Sequence, residues 1–404
     1  MKNVLIAQSG GPTAAINATL TGVLLRANIK KDKIDKVFGA KHGIVGVMKE
    51  EFIDLTNYIT NSEFLHELKL TPAAALGSCR YKLKCEDEYK KIIDVFKKHN
   101  IGYFIYIGGN DSMDTVKQLH EYCEKMNITE IKIIGAPKTI DNDLVGTDHC
   151  PGFGSAAKYV ATSFAEIERD CKVYDTNSVT IVEVMGRNTG WLTAASVLSK
   201  YSGGDGVDLI YLCEVTFHKK KFIEDVKNIL SKQKNVVIAV SEGIKNENGN
   251  YVAEDTESKI IDAFGHRSIT GVAKSLEYLV SEEIGCKVRS IELNIMQRCS
   301  SHILSKTDID ESISLGMEAL DLALKGNTGV MVNLTRKENN KNYIVKLGSI
   351  DVTKVANHEK KVPLDMINED GNYVTYEMEN YLKPLIEGEI AINYFNGVAK
   401  HIIL

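Results

Sequence analysis

Short β-branched runs alternate with stretches of helical apolar spacing along most of this chain, the pattern of βαβ units around a largely parallel sheet. Val4–Gln8 predicts a strand, and Ile16, Leu20, Val23 and Leu24 then recur on one face of a helix. Tyr103–Ile107 predicts a second strand, followed by a helix with Val116, Leu119 and Cys123 on its inner face, and Ile131–Ile134 a third strand. After the Gly152–Gly154 turn, Phe153, Ala156, Ala157, Val160, Phe164 and Ile167 mark the buried stripe of a long helix. Strands are predicted again at Val179–Val184, Asp208–Cys213 and Val236–Val240. One sheet holding all of them would be very wide. The expectation is therefore an α/β protein of two stacked parallel-sheet domains, 1–150 and 151–300, with residues 301–404 returning across both.

Composition narrows the function classes. With 404 residues, 44% hydrophobic, 25% charged and only 6 Pro, the chain has the balance of a globular enzyme and not of a disordered or fibrous protein. Forty-nine basic against 54 acidic residues give a net charge of -5 without a dominant basic patch, so no nucleic acid partner is expected. No apolar stretch approaches the roughly 18 residues of a membrane span, and the start is too short in apolar residues for a secretory signal; a cytoplasmic chain is expected. Eight Cys show no CxxC and no zinc-ligand spacing, and read as reduced, mostly core thiols. The charged stretches Lys219–Lys221 and Arg336–Lys341 read as solvated loops and faces.

Ligands of parallel sheets bind beyond the carboxyl ends of the strands, and three loops there carry chemistry. Gln8-Ser9-Gly10-Gly11-Pro12-Thr13 lets backbone N–H groups approach a phosphate at a helix start, although it lacks the Lys-Ser or Lys-Thr of a Walker A loop. Gly108-Gly109-Asn110-Asp111-Ser112 repeats the arrangement; the plain alternative is a helix N-cap at Asp111 or Ser112. Two such loops on one sheet suggest a di- or triphosphate. In Pro137-Lys138-Thr139-Ile140-Asp141-Asn142-Asp143 a cation stands beside two carboxylates, the base, metal site and counter-charge that phosphoryl transfer requires. Farther on, Glu183-Val184-Met185-Gly186-Arg187 and Ser241-Glu242-Gly243 end strands with polar groups, and Arg289 and Arg298 flank Ser290–Gln297, a segment of strand-like composition.

In order and spacing, the Gly10-Gly11 loop, Gly77-Ser78-Cys79-Arg80, Gly108 to Ser112, Pro137 to Asp143, Glu183 to Arg187, Glu242-Gly243 and Gln297-Arg298 resemble the motif series of the 6-phosphofructokinase family. The tail, with Asn372-Tyr373-Val374-Thr375 and Tyr381 to Ile386, resembles the extension of its pyrophosphate-using branch. The resemblance implies an active site in the cleft between two α/β domains and phosphoryl transfer to the C1 hydroxyl of fructose 6-phosphate. It gives the catalytic roles to Asp141 as base, Lys138, Asp111 and Arg187. Gly11, Arg80, Gly108, Gly109 and Lys138 would hold the donor. Thr139, Asp141, Met185, Gly186, Arg187, Glu242, Arg289 and Arg298 would bind the sugar phosphate, with Arg289 reaching in from a neighbouring subunit. Asn110 and Asp143 would serve Mg2+. A homodimer or homotetramer follows.

Two positions distinguish donors. ATP enzymes of the family carry Gly where this chain has Asp111, and Pro-Gly-Thr where it has Pro137-Lys138-Thr139. On this resemblance Asp111 would fill and charge the space where a nucleotide's inner phosphate would lie, and Lys138 would pair with the terminal phosphate of pyrophosphate. Three departures from the family pattern stand out: Asn110 replaces an Asp, Ile295 a His or Tyr, and Ser178 an Arg. They extend the acceptor expectation to sedoheptulose 7-phosphate. The alternatives are an ATP-dependent kinase of this fold, an inactive regulatory subunit, and a nicotinamide dehydrogenase. For the last, Gly152-Phe153-Gly154-Ser155-Ala156-Ala157 offers a GxGxxA look-alike, but no strand precedes it. Retention of Asp141, Asp143, Lys138 and Arg187 argues against the inactive subunit.

Overall fold

The computed structural model describes residues 1–255, 271–337 and 343–404, so positions 338–341 of the Arg336–Lys341 stretch lie outside the described residues. The main strands are β1 (Lys2–Gln8), β2 (Ile34–Ala40), β3 (Phe52–Asp54), β4 (Ile101–Gly108), β5 (Lys132–Pro137), β6 (Ser178–Val184), β7 (Leu209–Tyr211), β8 (Asn235–Ser241), β9 (Lys287–Glu292), β10 (Val330–Arg336) and β11 (Val345–Asp351). They form two compact units. The first comprises Met1–Ser155, Arg298–Glu359 and Gly388–Leu404, and the second Ala156–Gln297 and Lys360–Glu387. Where the sequence reading divided the chain at 150 and 300, it passes between units after Ser155, Gln297, Glu359 and Glu387.

The first unit is built on a seven-stranded sheet in the order β11-β10-β5-β4-β1-β2-β3. Its centre is parallel, and β3 and β11 run antiparallel at the edges. Both faces are covered, which is why β1 and β4 read as continuous apolar runs and not as alternation. Val4, Ile6, Ile105 and Ile107 point into one core with Ile16, Leu20, Val23 and Leu24. Leu5, Ala7, Phe104 and Tyr106 point into the other with Val116, Leu119 and Cys123. The helix Ile16–Ile29 crosses the helix Lys306–Leu324 at very short range. A Cβ on Gly22 would lie 2.0 Å from the Ile313 carbonyl oxygen, and one on Gly316 2.0 Å from that of Thr19. Only glycines permit that approach, and it places the N-terminal end of Ile16–Ile29 just after the Gly10-Gly11 turn.

The second unit carries a four-stranded parallel sheet, β7-β8-β6-β9. Val179, Ile181, Val236, Ile238 and Val240 join Phe217, Phe222 and Leu276 in its core. Lys219–Lys221 form the first turn of the helix Lys219–Leu230 and face solvent along most of their length. The strand expected around Ser290–Gln297 is displaced: β9 ends at Glu292, Asn294 turns the chain with φ 44°, and Met296–Cys299 is a short helix. Arg336, expected in a loop, ends β10 and pairs with Asp148 at 3.0 Å. No cysteine is disulfide-bonded; Cys123, Cys150 and Cys171 are buried and Cys85 is exposed. Among the described residues no helix is long and apolar enough to cross a membrane.

Candidate active site

In the first unit the three loops expected to carry the donor converge on Lys138. β4 and β5 pair through Gly108 and Pro137, and the Lys138 backbone N–H donates to the Gly108 carbonyl at 2.9 Å, so the loops leave the sheet side by side. The Lys138 side chain turns toward β1 and donates from Nζ to the Gly11 carbonyl at 2.6 Å. It is only 2% exposed. Gly10, at φ 77°, occupies a left-handed conformation, and a Cβ there would lie 3.3 Å from that ammonium. A Cβ on Gly11 would lie 3.2 Å from Arg298 Nη1, which puts the Arg298 guanidinium against the same turn. The Gly77 to Arg80 loop closes over it: Gly10 N donates to the Cys79 carbonyl at 3.1 Å and Ser78 Oγ to the Gly10 carbonyl at 2.6 Å.

The charges around this lysine decide its chemistry. Burial pulls its pKa down to about 8; Asp141 and Asp143 hold it up, and Arg298 and Arg80 press it lower. Two cations and two carboxylates therefore sense one buried ammonium beside a turn of paired glycines, an arrangement suited to a multiply charged anion. The loop that carries the carboxylates is shaped locally. Thr139 Oγ1 accepts from Asp141 N at 3.1 Å, which leaves its hydroxyl proton to donate. Asn142, at φ 55° and fully buried, accepts from Cys150 N at 3.0 Å.

On the Gly108-Gly109 loop, neither Asp111 nor Ser112 caps the helix Asn110–Lys125: Gly109 is the N-cap residue, and no side-chain cap bond is made. Asp111 is exposed at the helix start, where its charge favours the dipole. Asn110 engages both ends of its amide with a distant loop, Oδ1 accepting from Asn357 N and Nδ2 donating to the His358 carbonyl, each at 2.6 Å. That is the geometry of a loop anchor, and it leaves Asp143 as the better metal candidate. Among the described residues no three His, Cys, Asp or Glu side chains gather closely enough to hold a metal.

In the second unit the end of β6 brings together Met185, Gly186, Arg187 and Glu242. Glu242 N donates to the Val184 carbonyl at 3.0 Å, Gly186 N to Glu242 Oε1 at 3.4 Å and Met185 N to Gln297 Oε1 at 3.2 Å. Gly186 has φ 136°, and a Cβ on Gly243 would lie 1.8 Å from the Arg187 carbonyl oxygen, so both glycines are required for this crossing of loops. Arg289 does not join them. It pairs in register with Thr180, three positions short of the Glu183–Glu292 pair, and its guanidinium bonds Asp170 at 3.1 Å. Ile295 is exposed, and Ser178 opens β6.

Two carboxylates anchor this arrangement: Glu183, which opens the strand-end motif but was given no role of its own, and Glu214, which the sequence did not single out. Glu183, in the buried middle of the sheet, accepts from Ala273 N at 2.9 Å at the start of the helix Val272–Ile284, and burial pushes its pKa up to about 7. Glu214 accepts from Gly190 N at 2.9 Å and Val362 N at 3.0 Å, tying the Arg187 loop to the tail segment. A charge inside an otherwise apolar strand was the available signal for Glu183; Glu214 had none.

Comparison with known proteins shows which family the chain belongs to. The chain is 39% identical over 404 residues to a pyrophosphate–fructose 6-phosphate 1-phosphotransferase of Halomonas elongata, covering 98% of this chain and 95% of that protein. Identity to the protein of the same name in Methylococcus capsulatus is 38%, over 100% and 96% of the two chains. A crystal structure of a pyrophosphate-dependent phosphofructokinase from Nitrosospira multiformis superposes with a TM-score of 0.89 at 36% identity, covering 99% of this chain and 96% of that one. The family pattern described as phosphofructokinase matches residues 3–323, and the chain belongs to the phosphofructokinase family.

Proposed function

We propose that this chain reversibly transfers a phosphoryl group from pyrophosphate to the C1 hydroxyl of fructose 6-phosphate, giving fructose 1,6-bisphosphate and phosphate. The observation that carries the reading is the buried Lys138 ammonium at the Gly10-Gly11 turn, flanked by Arg80, Arg298, Asp141 and Asp143. It supports a small, highly charged donor. Asp141 takes the proton of the C1 hydroxyl as its oxygen bonds the transferred phosphorus. The bond from that phosphorus to the bridging oxygen breaks, and Lys138 meets the charge that builds on the departing phosphate. Gly11, Gly108 and Gly109 leave room for the donor at the backbone, and Arg80 adds charge. Arg187, Met185, Gly186, Glu242, Thr139 and Arg298 are assigned to the sugar phosphate.

Magnesium fits the residues present. Asp143 supplies a hard oxygen donor on the loop whose charges reach Lys138, and Mg2+ is usually held by one or two carboxylates with substrate phosphates and water completing its shell. When bound it would neutralise phosphate charge. The reading extends to a homo-oligomer acting in the cytoplasm, where eight thiols without disulfides fit a reducing compartment. Initial rates with pyrophosphate, ATP or GTP against fructose 6-phosphate, with Mg2+ and with EDTA, test it. Turnover with pyrophosphate and Mg2+ alone is expected; turnover with ATP and none with pyrophosphate would overturn the donor assignment. Sedoheptulose 7-phosphate in the same assay tests the wider acceptor.

A further inference from the structure

Behind the Lys138 loop lies a buried charged cluster to which the reaction assigns no role. His149, 2% exposed, stands between two carboxylates, Nδ1 at 2.9 Å from Asp148 and Nε2 at 2.6 Å from Glu311. Both contacts are hydrogen bonds only when both ring nitrogens carry protons, that is, in the imidazolium form. The carboxylates are themselves held: Arg336 donates to Asp148 from Nε at 3.2 Å and Nη2 at 3.0 Å, and Tyr343 Oη donates to Glu311 at 2.8 Å. One turn before Glu311, Asp308 accepts from Gly152 N at 2.8 Å and Ser155 N at 3.0 Å. On the other side Asp148 N donates to the Leu334 carbonyl at 2.8 Å, and Thr147 Oγ1 accepts from Leu334 N at 3.1 Å. Residues 147–155 are thus gripped by the helix Lys306–Leu324 and by β10.

That gripped segment is the template for the catalytic loop. Cys150 N donates to Asn142 Oδ1, between Asp141 and Asp143, and Thr139 N donates to the Pro151 carbonyl at 3.2 Å, next to Lys138. Thr139 and Gly152 form a parallel bridge. We propose that His149, clamped between Asp148 and Glu311, is a positioning residue that holds the loop carrying Lys138 and Asp141 in place for phosphoryl transfer. The proposal rests on the reaction assigned above. Burial would pull the imidazole down, but the bonds to Asp148 and Glu311 outweigh it and push its pKa up to about 9, so the two-sided grip persists at neutral pH. The other titratable and charged neighbours on the elements packed against it are Asp308, Arg336 and Tyr343.

His149→Gln and Glu311→Gln test this, each compared with wild type using whichever donor wild type turns over, so that failure of the pyrophosphate assignment is seen separately in the wild-type rates. His149→Gln keeps one donor and loses the two-sided grip; kcat should fall about 10-fold or more, with both KM values within about threefold, because small misplacement of catalytic groups slows chemistry more than binding. Glu311→Gln removes one carboxylate and lets the imidazole titrate nearer its ordinary range. Its kcat relative to wild type should be low near pH 8.5 and recover toward unity near pH 6, where the imidazolium re-forms. Unchanged kcat, a loss confined to KM, or a Glu311→Gln deficit that is flat with pH would overturn the proposal. So would failure of both variants to fold, which would make the cluster a folding element only.

Discussion

Replacing Lys138 by Met should move activity and stability in opposite directions. The fall of the Lys138 pKa from 10.5 to about 8 corresponds to about 3 kcal/mol held against the charged form in the folded chain, with the attraction of Asp141 and Asp143 already included. Met fills a similar volume without charge. It forfeits the 2.6 Å bond to Gly11, a loss of about 1 kcal/mol, so the ligand-free variant should be more stable by about 2 kcal/mol near pH 7. The gap should close with pH. A lowered lysine pKa means that the unfolded chain binds the extra proton between about pH 8 and 10.5, so wild-type stability from this group rises across that window, and the variant has no such gain. Activity moves the other way. A fixed charge in a water-poor site stabilises the transition state by about 3–4 kcal/mol, so kcat with pyrophosphate should fall by about 10²–10³-fold or more. Urea midpoints across pH together with rates at saturating substrates measure both effects. A variant that unfolds more easily at pH 7, or that retains kcat within about 10-fold, refutes the placement of a functional ammonium in a destabilising site.

Asp141→Ser should lower kcat by about 10²–10⁴-fold with little change in KM for fructose 6-phosphate, as loss of a general base does; near-normal turnover would remove Asp141 from that role. Arg298→Ala should raise KM for the sugar phosphate and, because the guanidinium depresses the Lys138 pKa, shift the alkaline fall of kcat/KM for pyrophosphate to higher pH; an unmoved alkaline limb would separate Arg298 from Lys138. Asp111→Gly should yield ATP-dependent phosphorylation where wild type has little, since it removes bulk and charge from the helix start; a variant as inactive with ATP as wild type shows that other residues exclude the nucleotide.

The strands that were legible are those buried on both faces. Val4–Gln8 and Val179–Val184 stand out because every position is buried and most are apolar, whereas β2, with Asp35 and Lys36 exposed near its start, and β11, with Lys346 and Ser349 exposed between half-buried positions, carry mixed composition that single-sequence reading passes over. The segment Ser290–Gln297 misled for a related reason. Its apolar residues Ile295 and Met296 are exposed, and the left-handed turn at Asn294 that ends the strand run uses a residue type equally at home in a loop.

The site divides along the same line between local and distant causes. Lys138 was legible because a cation between a strand end and two carboxylates is a statement about seven consecutive residues. Asn110 was not, because its partners Asn357 and His358 lie more than 240 positions away, and neither was His149, whose second carboxylate comes from Glu311. Asn142 shows where the two kinds of information meet. In the run Thr139-Ile140-Asp141-Asn142-Asp143 it reads as one more polar group of the motif, yet it is fully buried, takes the left-handed conformation that asparagine tolerates, and accepts the Cys150 N–H. Two neighbouring carboxylates can be aimed to different tasks only if the backbone between them is fixed. The middle residue supplies that fixation, and the clamp around His149 supplies it with something rigid to hold.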